Sequence, residues 1–200
     1  MKLTYFISLV FALGLFAVAP PASLAEDSSD YLALKYGIYS PSVEYDIDNI
    51  NVDTKTGSNA EIAIGHYLLP ILAVEFGAGY FESRGSSAAQ PGETTLKVVP
   101  ILLTAKVFLP LVLIEPYGEF GIGYYITKFK VSGLSGPLAN ISSDRQGVVG
   151  LHAGAGLHVN ITPIVFLGAE GRYLWAKPEF GGQDIKLDGF TVTANLGFRY

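Results

Sequence analysis

The last eleven residues of the chain alternate strictly between apolar side chains and polar or small ones. The apolar positions are Phe190, Val192, Ala194, Leu196, Phe198 and Tyr200, and the intervening positions are Thr191, Thr193, Asn195, Gly197 and Arg199. Because successive side chains of a strand point to opposite faces, the segment predicts a strand with one wholly apolar face. Its backbone needs a hydrogen-bonded neighbour. We predict that it pairs with the first strand of the mature chain and closes a small transmembrane barrel.

Seven other segments alternate in a similar way, at residues 31–39, 61–68, 72–81, 96–108, 113–129, 148–160 and 165–175. These segments are long enough for the roughly 9–11 tilted residues with which a strand crosses a bilayer. Tight turns at Pro70, Pro110 and Pro163 alternate with predicted exposed loops at residues 40–58, 82–93, 130–146 and 176–188. Short connections at one end and long ones at the other are typical of outer-membrane barrels. The predicted fold class is therefore all-β, an eight-stranded antiparallel up-and-down transmembrane β-barrel.

One stretch admits a second interpretation, as a transmembrane helix. Residues 96–114 are apolar but contain Lys97, Lys106, Pro100 and Pro110. A helix would place Lys106 near the bilayer centre, at a cost of roughly 2.5–3.5 kcal/mol. In a β-hairpin Lys106 faces the lumen and Pro110 forms the turn, so we favour two strands.

The first 25 residues have the features of a secretory signal peptide. Lys2 supplies the basic start, an apolar stretch follows, and Ser23 and Ala25 are the small side chains that a signal peptidase requires. A retained anchor helix is the alternative, but the polar residues after Ala25 favour cleavage. The expected organisation is a cleaved signal peptide at 1–25 and one outer-membrane β-barrel domain at 26–200. Because the chain has no Cys, lipid burial of a closed barrel is expected to replace disulfides as a source of stability.

The charge balance argues against a nucleic-acid partner. Removal of Lys2 with the leader leaves 12 basic residues against 18 acidic ones, a net charge of −6. Proteins that bind nucleic acid are usually basic on the binding face.

Ionisable residues recur on the polar faces of the predicted strands. They are Lys35, Glu61, Glu75, Lys106, Glu115, Glu119, His152, His158, Glu170, Arg172 and Arg199. The interior of an eight-stranded barrel is just wide enough for its own side chains. We interpret these residues as a lumen polar network, a plug of interlocking ion pairs, with Arg199 beside Lys35, Glu170 or their neighbours. The alternative is a narrow polar path for a small solute.

Aromatic residues lie near the ends of several predicted strands, at Tyr80, Tyr124, Tyr125, Tyr173 and Trp175. Aromatic side chains concentrate at both interfaces of a membrane barrel. The pattern therefore predicts an interfacial girdle.

In its C-terminal strand and in several other stretches, the chain resembles a known protein family. Its terminal Phe198-Arg199-Tyr200 resembles the C-terminal assembly signal of bacterial outer-membrane barrels, whose apolar positions here are Phe190, Val192, Leu196, Phe198 and Tyr200. The whole mature chain is similar to small OmpA/OmpX/OmpW-type proteins, with matching stretches around Gly77–Tyr80, Pro116–Tyr124 and Glu170–Tyr173. The resemblance implies location in the bacterial outer membrane, folding by the barrel assembly machinery, and contact with outer-membrane lipid and lipopolysaccharide. We expect a monomer without a cofactor.

The family spans several activities, so three functions are carried forward. We favour a non-enzymatic outer-membrane protein with a structural or surface-interaction role in the envelope. The first alternative is a narrow channel for small, including apolar, solutes. The second is a lipid A-modifying enzyme, which needs a histidine near a nucleophile. The candidate residues for that chemistry are His152, Ser142, Ser143 and Asp144.

A run of acidic residues in the first long loop suggests a weak calcium site. Asp46, Asp48 and Asp53 offer oxygen ligands at alternating positions. The run lacks the glycine that bends an EF-type loop, and alternating acids in a hairpin are usually solvated. We therefore predict no metal site.

Overall fold

The computed structural model describes residues 30–42, 45–47, 50–87, 93–109, 111, 113–132, 145–177, 179–180, 183–184 and 187–200. Twelve strands occupy these residues. Their bounds are β1 (Asp30–Pro41), β2 (Tyr45–Ile47), β3 (Ile50–Lys55), β4 (Gly57–Leu69), β5 (Leu72–Ser87), β6 (Glu93–Phe108), β7 (Ile114–Ser132), β8 (Arg145–Asn160), β9 (Val165–Trp175), β10 (Glu179–Phe180), β11 (Gln183–Asp184) and β12 (Gly189–Arg199).

Eight of these strands form a closed antiparallel barrel in the order β1, β4, β5, β6, β7, β8, β9, β12. Each long strand pairs with its neighbours along the chain, and the β1–β12 pairing closes the ring. Tyr31 lies opposite Arg199 and Pro41 opposite Gly189. The predicted closing pair and the predicted fold class are confirmed.

Strand alternation separates an inner from an outer surface as the sequence predicts. On β12, Val192 and Phe198 are exposed by 45% and 42%, whereas Thr193 and Asn195 are each 4% exposed and point into the lumen. The outward-facing side chains are apolar, as expected of side chains that contact lipid. The polar side chains are left to fill the interior.

The short connections lie at one end of the barrel, which we call the turn end, and the long ones lie at the loop end. Pro70 and Ile71 form the turn between β4 and β5, and residues 161–164 bend between β8 and β9. β9 has the predicted bounds, and the other predicted strands gain one or more residues at the loop end, whereas β7 begins one residue later and β12 ends one residue earlier than predicted.

The prediction of an exposed loop at 40–58 is wrong for most of its length. β2 and β3 form a hairpin there, β3 pairs with the outer part of β5, and β4 begins at Gly57. Apolar residues alternate with polar ones in this segment, at Tyr45, Ile47, Ile50 and Val52. The sequence therefore carries a strand signal, and the loop prediction rests on the acidic residues of the segment. β5 likewise continues to Ser87 and β7 to Ser132, into segments predicted as loops.

The helical alternative for residues 96–114 is excluded by β6 and β7, which occupy most of that stretch. Lys106 points into the lumen, as expected of a strand. Within the described ranges, no helix has the length and apolar character needed to cross a membrane.

The lumen is packed in three layers. An aromatic layer lies at the turn end and comprises Tyr31, Ala33, Ala73, Phe108, Tyr117 and Phe166, with Tyr67 against it. An apolar layer lies at the loop end and comprises Tyr39, Phe81, Leu96, Val98, Leu102, Tyr125, Leu174, Ala176 and Leu187. The charged residues of β1, β4, β5, β6, β7 and β9 lie between them.

Glycines make room for the rings of the turn-end layer. A Cβ built on Gly65 would overlap the ring of Tyr31, and one on Gly197 would overlap the ring of Phe166. The absence of a side chain at these positions lets large rings cross a narrow lumen.

Candidate functional site

Lys35 is one of three buried cations in the middle layer of the lumen. β1 places it four residues beyond Tyr31, on the inner face. Its Nζ lies 2.7 Å from Glu75 Oε1, 2.9 Å from Glu61 Oε1 and 3.1 Å from Glu170 Oε2. The strands that carry these carboxylates are β4, β5 and β9, so one lysine ties together three separate parts of the wall.

Lys106 occupies the opposite wall, on β6, and is fully buried. Its Nζ lies 2.8 Å from Glu75 Oε2, 3.1 Å from Glu170 Oε2 and 3.6 Å from Glu119 Oε2. The ammonium also lies 4.6 Å from the centroid of the Tyr117 ring, within cation–π range. Lys106 therefore joins the charged layer to the aromatic layer below it.

Arg172 on β9 completes the set. Its Nε donates to Glu119 Oε1 at 2.8 Å, Nη1 to Glu61 Oε2 at 2.9 Å and Nη2 to Glu170 Oε1 at 2.7 Å. The planar guanidinium offers several donors in a fixed fork, which allows it to hold three carboxylates at once. Arg172 thus fixes the relative positions of β4, β7 and β9 across the lumen.

We call these seven residues the central network: Lys35, Glu61, Glu75, Lys106, Glu119, Glu170 and Arg172. Glu170 contacts all three cations, and each of the other carboxylates contacts two. Two tyrosine hydroxyls add donors, from Tyr31 to Glu75 at 2.7 Å and from Tyr117 to Glu170 at 2.8 Å.

A buried charge is tolerated only when opposite charges and hydrogen bonds compensate for the loss of water. The central network meets most of this condition with its own members, because every cation faces carboxylates and every carboxylate faces at least two cations, although its four carboxylates outnumber its three cations by one. Its side chains fill the middle of the lumen from all sides. The arrangement is that of a rigid polar plug.

Glu115 and Arg199 do not join the central network. Arg199 Nη2 lies 2.6 Å from Glu115 Oε2, and Nη1 donates to Asn160 Oδ1 at 2.8 Å. The expectation that Arg199 lies beside Lys35 or Glu170 is therefore wrong. In the β1–β12 register, Arg199 is opposite Tyr31 whereas Lys35 is opposite Asn195, so four residues of strand separate the two cations along the barrel.

The histidines occupy three different environments. His152 is buried and its Nε2 lies 2.9 Å from Thr104 Oγ1. His158 stacks on Phe166, with 4.0 Å between ring centroids, inside the aromatic layer. His66 is on the outer surface at the turn end, paired with Asp30. The serines and the acid proposed for an enzymatic site, residues 142–144, lie outside the described residues.

The apolar layer at the loop end contains a contribution that the sequence did not indicate. Leu187, from the connection between β9 and β12, is fully buried over the lumen. Its carbonyl accepts a hydrogen bond of 2.9 Å from the Tyr39 hydroxyl, and its N–H donates to the Ala176 carbonyl at 2.8 Å. Residues 184–188 alternate between polar and apolar side chains over too short a stretch to predict a strand, so the predicted loop at 176–188 includes Leu187. Tyr31 and Tyr117, in contrast, were recoverable from strand parity alone.

One member of the predicted aromatic girdle is misplaced. Tyr80, Tyr124 and Trp175 are exposed on the outer surface by 39–45%, but Tyr125 is buried in the loop-end layer. Tyr124 and Tyr125 are adjacent in one strand, so their side chains must point to opposite faces. The girdle therefore includes only the first of the pair.

The ladder of backbone pairing between β5 and β6 is interrupted, although the two strands stay in contact there. Register partners run from Leu72 and Val107 to Ala78 and Ile101, and they resume at Phe81 and Val98. Pro100 lies in the gap and lacks the N–H that a ladder bond needs. The interruption is next to the apolar layer at the loop end.

Three other predictions fall on parts that the structure leaves undescribed, and one of them is the turn at Pro110, which lies outside the described residues. The signal peptide precedes residue 30, and its cleavage stays a prediction. Of the acidic run in the first long connection, residue 48 is outside the described residues and the side chains of the others are not described.

The sequence matches a known family over nearly its whole length. That family is described as "Outer membrane protein beta-barrel domain", and the match covers residues 8–198. A comparison with curated proteins found no match.

Solved structures of outer-membrane barrels share the fold at low sequence identity. The outer membrane protein OprG from Pseudomonas aeruginosa has a TM-score of 0.64 at 13% identity, covering 88% of this chain and 97% of that one. Neisserial surface protein A has a TM-score of 0.58 at 15% identity, covering 87% and 98%. The attachment invasion locus protein of Yersinia pestis, Ail, has a TM-score of 0.51 at 15% identity, covering 88% and 100%. Identities this low establish the fold and no shared activity.

Proposed function

Because this chain belongs to the outer membrane protein β-barrel domain family, in the bacterial outer membrane, we propose that it is a non-enzymatic protein with a structural or surface-interaction role in the envelope. In this proposal the barrel has a filled lumen and anchors its loops in the membrane. The four loop-end connections are the part that meets the cell's surroundings, while the lumen supplies rigidity.

The observation that carries this proposal is the central network. Lys35, Lys106 and Arg172 are each held by three carboxylates from different strands, with side-chain exposures of 0–5%. A straight polar path would require these pairs to separate in a region without enough water to solvate them. The apolar layer above and the aromatic layer below add two further obstacles to an ion.

The expected role is tested in cells that lack the protein. Loss should increase sensitivity to detergents and large antibiotics, and reintroduction of the wild-type chain should restore resistance. Uptake of small polar solutes should be equal in the two strains. If uptake falls on deletion while detergent sensitivity does not change, the structural role is contradicted and a transport role takes its place.

Uptake of a small apolar solute is a second candidate, which one observation favours. The β5–β6 interruption at Pro100 lies beside the apolar loop-end layer. A solute that partitions into this layer would meet the charged plug below it, so the break in the β5–β6 ladder offers the shorter way towards lipid. Uptake of a radiolabelled long-chain hydrocarbon should then fall when Pro100→Val restores a donor to the ladder. Equal uptake by the wild type, Pro100→Val and the deletion strain would remove this candidate.

A further inference from the structure

Basic residues are concentrated on one part of the barrel wall. Of the 12 basic residues after the leader, four point into the lumen, namely Lys35, Lys106, Arg172 and Arg199. Six others lie at the loop ends of β3, β5, β6, β7 and β8, namely Lys55, Arg84, Lys97, Lys128, Lys130 and Arg145. This concentration occurs in a chain whose net charge is negative.

The strand registers arrange these six residues in two rows. In the first row, Lys97 is opposite Lys128, and Lys128 is opposite Arg145. In the second row, Lys55 is opposite Arg84, and Thr95 lies between Arg84 and Lys130. Like charges directly opposite each other on adjacent strands are destabilising. Their repetition across five strands therefore points to a negative partner outside the chain.

One carboxylate belongs to the first row. Glu82 lies opposite Lys97, with 3.4 Å between Nζ and Oε2, and accepts a hydrogen bond of 2.6 Å from the Tyr80 hydroxyl. It compensates for one of three adjacent cations in that row. Lys128 and Arg145 face only basic partners along the register.

The first row lies directly above the lipid-facing surface. Lys97 occupies the next outward position beyond Val99, which is 41% exposed, and Lys128 occupies the next outward position beyond Ile126. Two members of the aromatic girdle are nearby, since Tyr124 is on the same strand as Lys128 and Tyr80 is on β5, the neighbour of the strand that carries Lys97. Since an aromatic girdle marks the level of the interface, the lysines are at the height of lipid headgroups. The β9–β12 side of the barrel has Lys177 and Asp188 near its loop end, outside both rows.

We propose that Lys97, Lys128 and the basic positions aligned with them form a binding site for the phosphorylated headgroup of an outer-leaflet glycolipid. The longer loops of an outer-membrane barrel are extracellular, so the loop end borders the outer leaflet, and a phosphorylated headgroup there would lie at the level of the girdle. Lysine binds phosphate as a point charge and can extend its apolar stem along the wall. The acyl chains would then lie along the apolar strands β5–β8. This site is on the outer wall, so it stands whether or not the lumen conducts.

The binding test uses the full chain purified from outer membranes in a non-ionic detergent. Lipid A with two phosphates is titrated, and bound lipid is counted by native mass spectrometry. Lipid A of the same acylation from which both phosphates have been removed is the comparison lipid. Binding should fall by roughly fivefold for each lysine replaced, in Lys128→Gln and in Lys97→Gln/Lys128→Gln, because each lysine near an anionic surface contributes about that factor.

Lys177→Gln is the matched control. It removes the same charge from an exposed lysine that follows β9 at the loop end, outside both rows, and it should bind as the wild type does. High salt should weaken binding by the wild type more than by the double variant, since screening acts on the charges that the variant lacks.

Three results would overturn the proposal. One is equal binding of the phosphorylated and the phosphate-free lipid. Another is an equal loss of affinity in Lys128→Gln and Lys177→Gln. The third is binding of inorganic phosphate as tight as that of lipid A, which would assign the site to a free anion. A compact band on unheated electrophoresis confirms that each variant is folded, so a loss of binding cannot be a loss of the barrel.

Discussion

Lys106 and Lys128 are on neighbouring strands of one barrel, yet their surroundings are opposite. Lys106 is fully buried and has three carboxylates within 3.6 Å of its Nζ. Lys128 is exposed, and its register partners on both sides are the basic residues Lys97 and Arg145. The inner surface compensates its charges within the chain, whereas the outer rim leaves basic charge to be compensated by something else.

The difference follows from the solvent on each side. The lumen has little water, so an uncompensated charge there would cost several kcal/mol. The rim borders water and headgroups, where a surplus of positive charge costs little and attracts anions. The same residue type therefore holds the fold together inside the barrel and is available to a partner outside it.

The largest effect is expected from Lys106→Met. The change leaves Glu75, Glu119 and Glu170 with fewer cations in a buried layer, which should lower the free energy of unfolding by about 3–5 kcal/mol. Urea unfolding in phospholipid vesicles measures it. Lys128→Met is the matched control and should unfold at the wild-type urea concentration. Equal losses in the two variants would mean that the inner network is not a special source of stability.

The lipid-facing surface should reject charge in a way that depends on depth. Leu103→Arg puts a cation near the middle of the membrane and should cost about 2–4 kcal/mol, whereas Leu109→Arg, near the turn end, should cost about 0–1 kcal/mol. Both leucines are exposed on the outer surface. Urea unfolding in vesicles measures the loss in free energy of unfolding for each variant. The two losses should become equal in a thin detergent micelle. A higher cost at position 109 would reverse the assigned depth.

Glycines on the two surfaces should respond differently to an added methyl group. A Cβ on Gly121 would overlap the Leu103 carbonyl and the His152 ring, so Gly121→Ala should lower stability by about 1–3 kcal/mol. A Cβ on Gly118 would meet no atom within 4 Å. Gly118→Ala on the outer surface should therefore unfold as the wild type does. Thermal unfolding followed by electrophoretic mobility measures both, and an unchanged Gly121→Ala would show that the lumen is loosely packed.

The smallest effect on the folded barrel is expected from deletion of Tyr200. Its side chain is exposed on the outer surface, 42% accessible, and its N–H donates to the Asp30 carbonyl at 3.0 Å. If the last strand is read by the assembly machinery, the deletion should reduce the amount of inserted protein several-fold without changing the urea midpoint of the protein that does insert. Normal insertion in a pulse-chase experiment would contradict that role.

Most of the barrel could be predicted because each membrane strand has a different environment on each of its two faces. Lipid on one side and a packed lumen on the other impose a period of two, so the direction of Lys35, Glu75, Lys106, Glu119 and Arg172 followed from parity. The same rule gave the β1–β12 closure. Applied consistently, the rule also excludes Tyr125 from the girdle. The girdle prediction failed at this residue because the adjacent Tyr124 and Tyr125 were assigned to one surface.

The features that escaped prediction are of two kinds. The β2–β3 hairpin and Leu187 lie in short alternating segments within the predicted exposed loops. The other features depend on register, about which parity carries no information. The partner of Arg199 depends on how the strands are aligned along the barrel axis. The alternation within a single strand shows which face a side chain is on but does not show this alignment. The rows of basic residues likewise became visible only when the registers placed Lys97, Lys128 and Arg145 side by side.

The central claim is that mutual compensation of buried charges closes the lumen. Single-channel recording of the folded wild-type protein in a planar bilayer, in concentrated potassium chloride, tests it most directly. We expect no stepwise current above that of the lipid alone, because ions would have to separate the pairs that Arg172 makes with Glu61, Glu119 and Glu170. Stepwise currents from the wild type whose size changes in Arg172→Ala would contradict the account, since they would show that ions pass through the network itself.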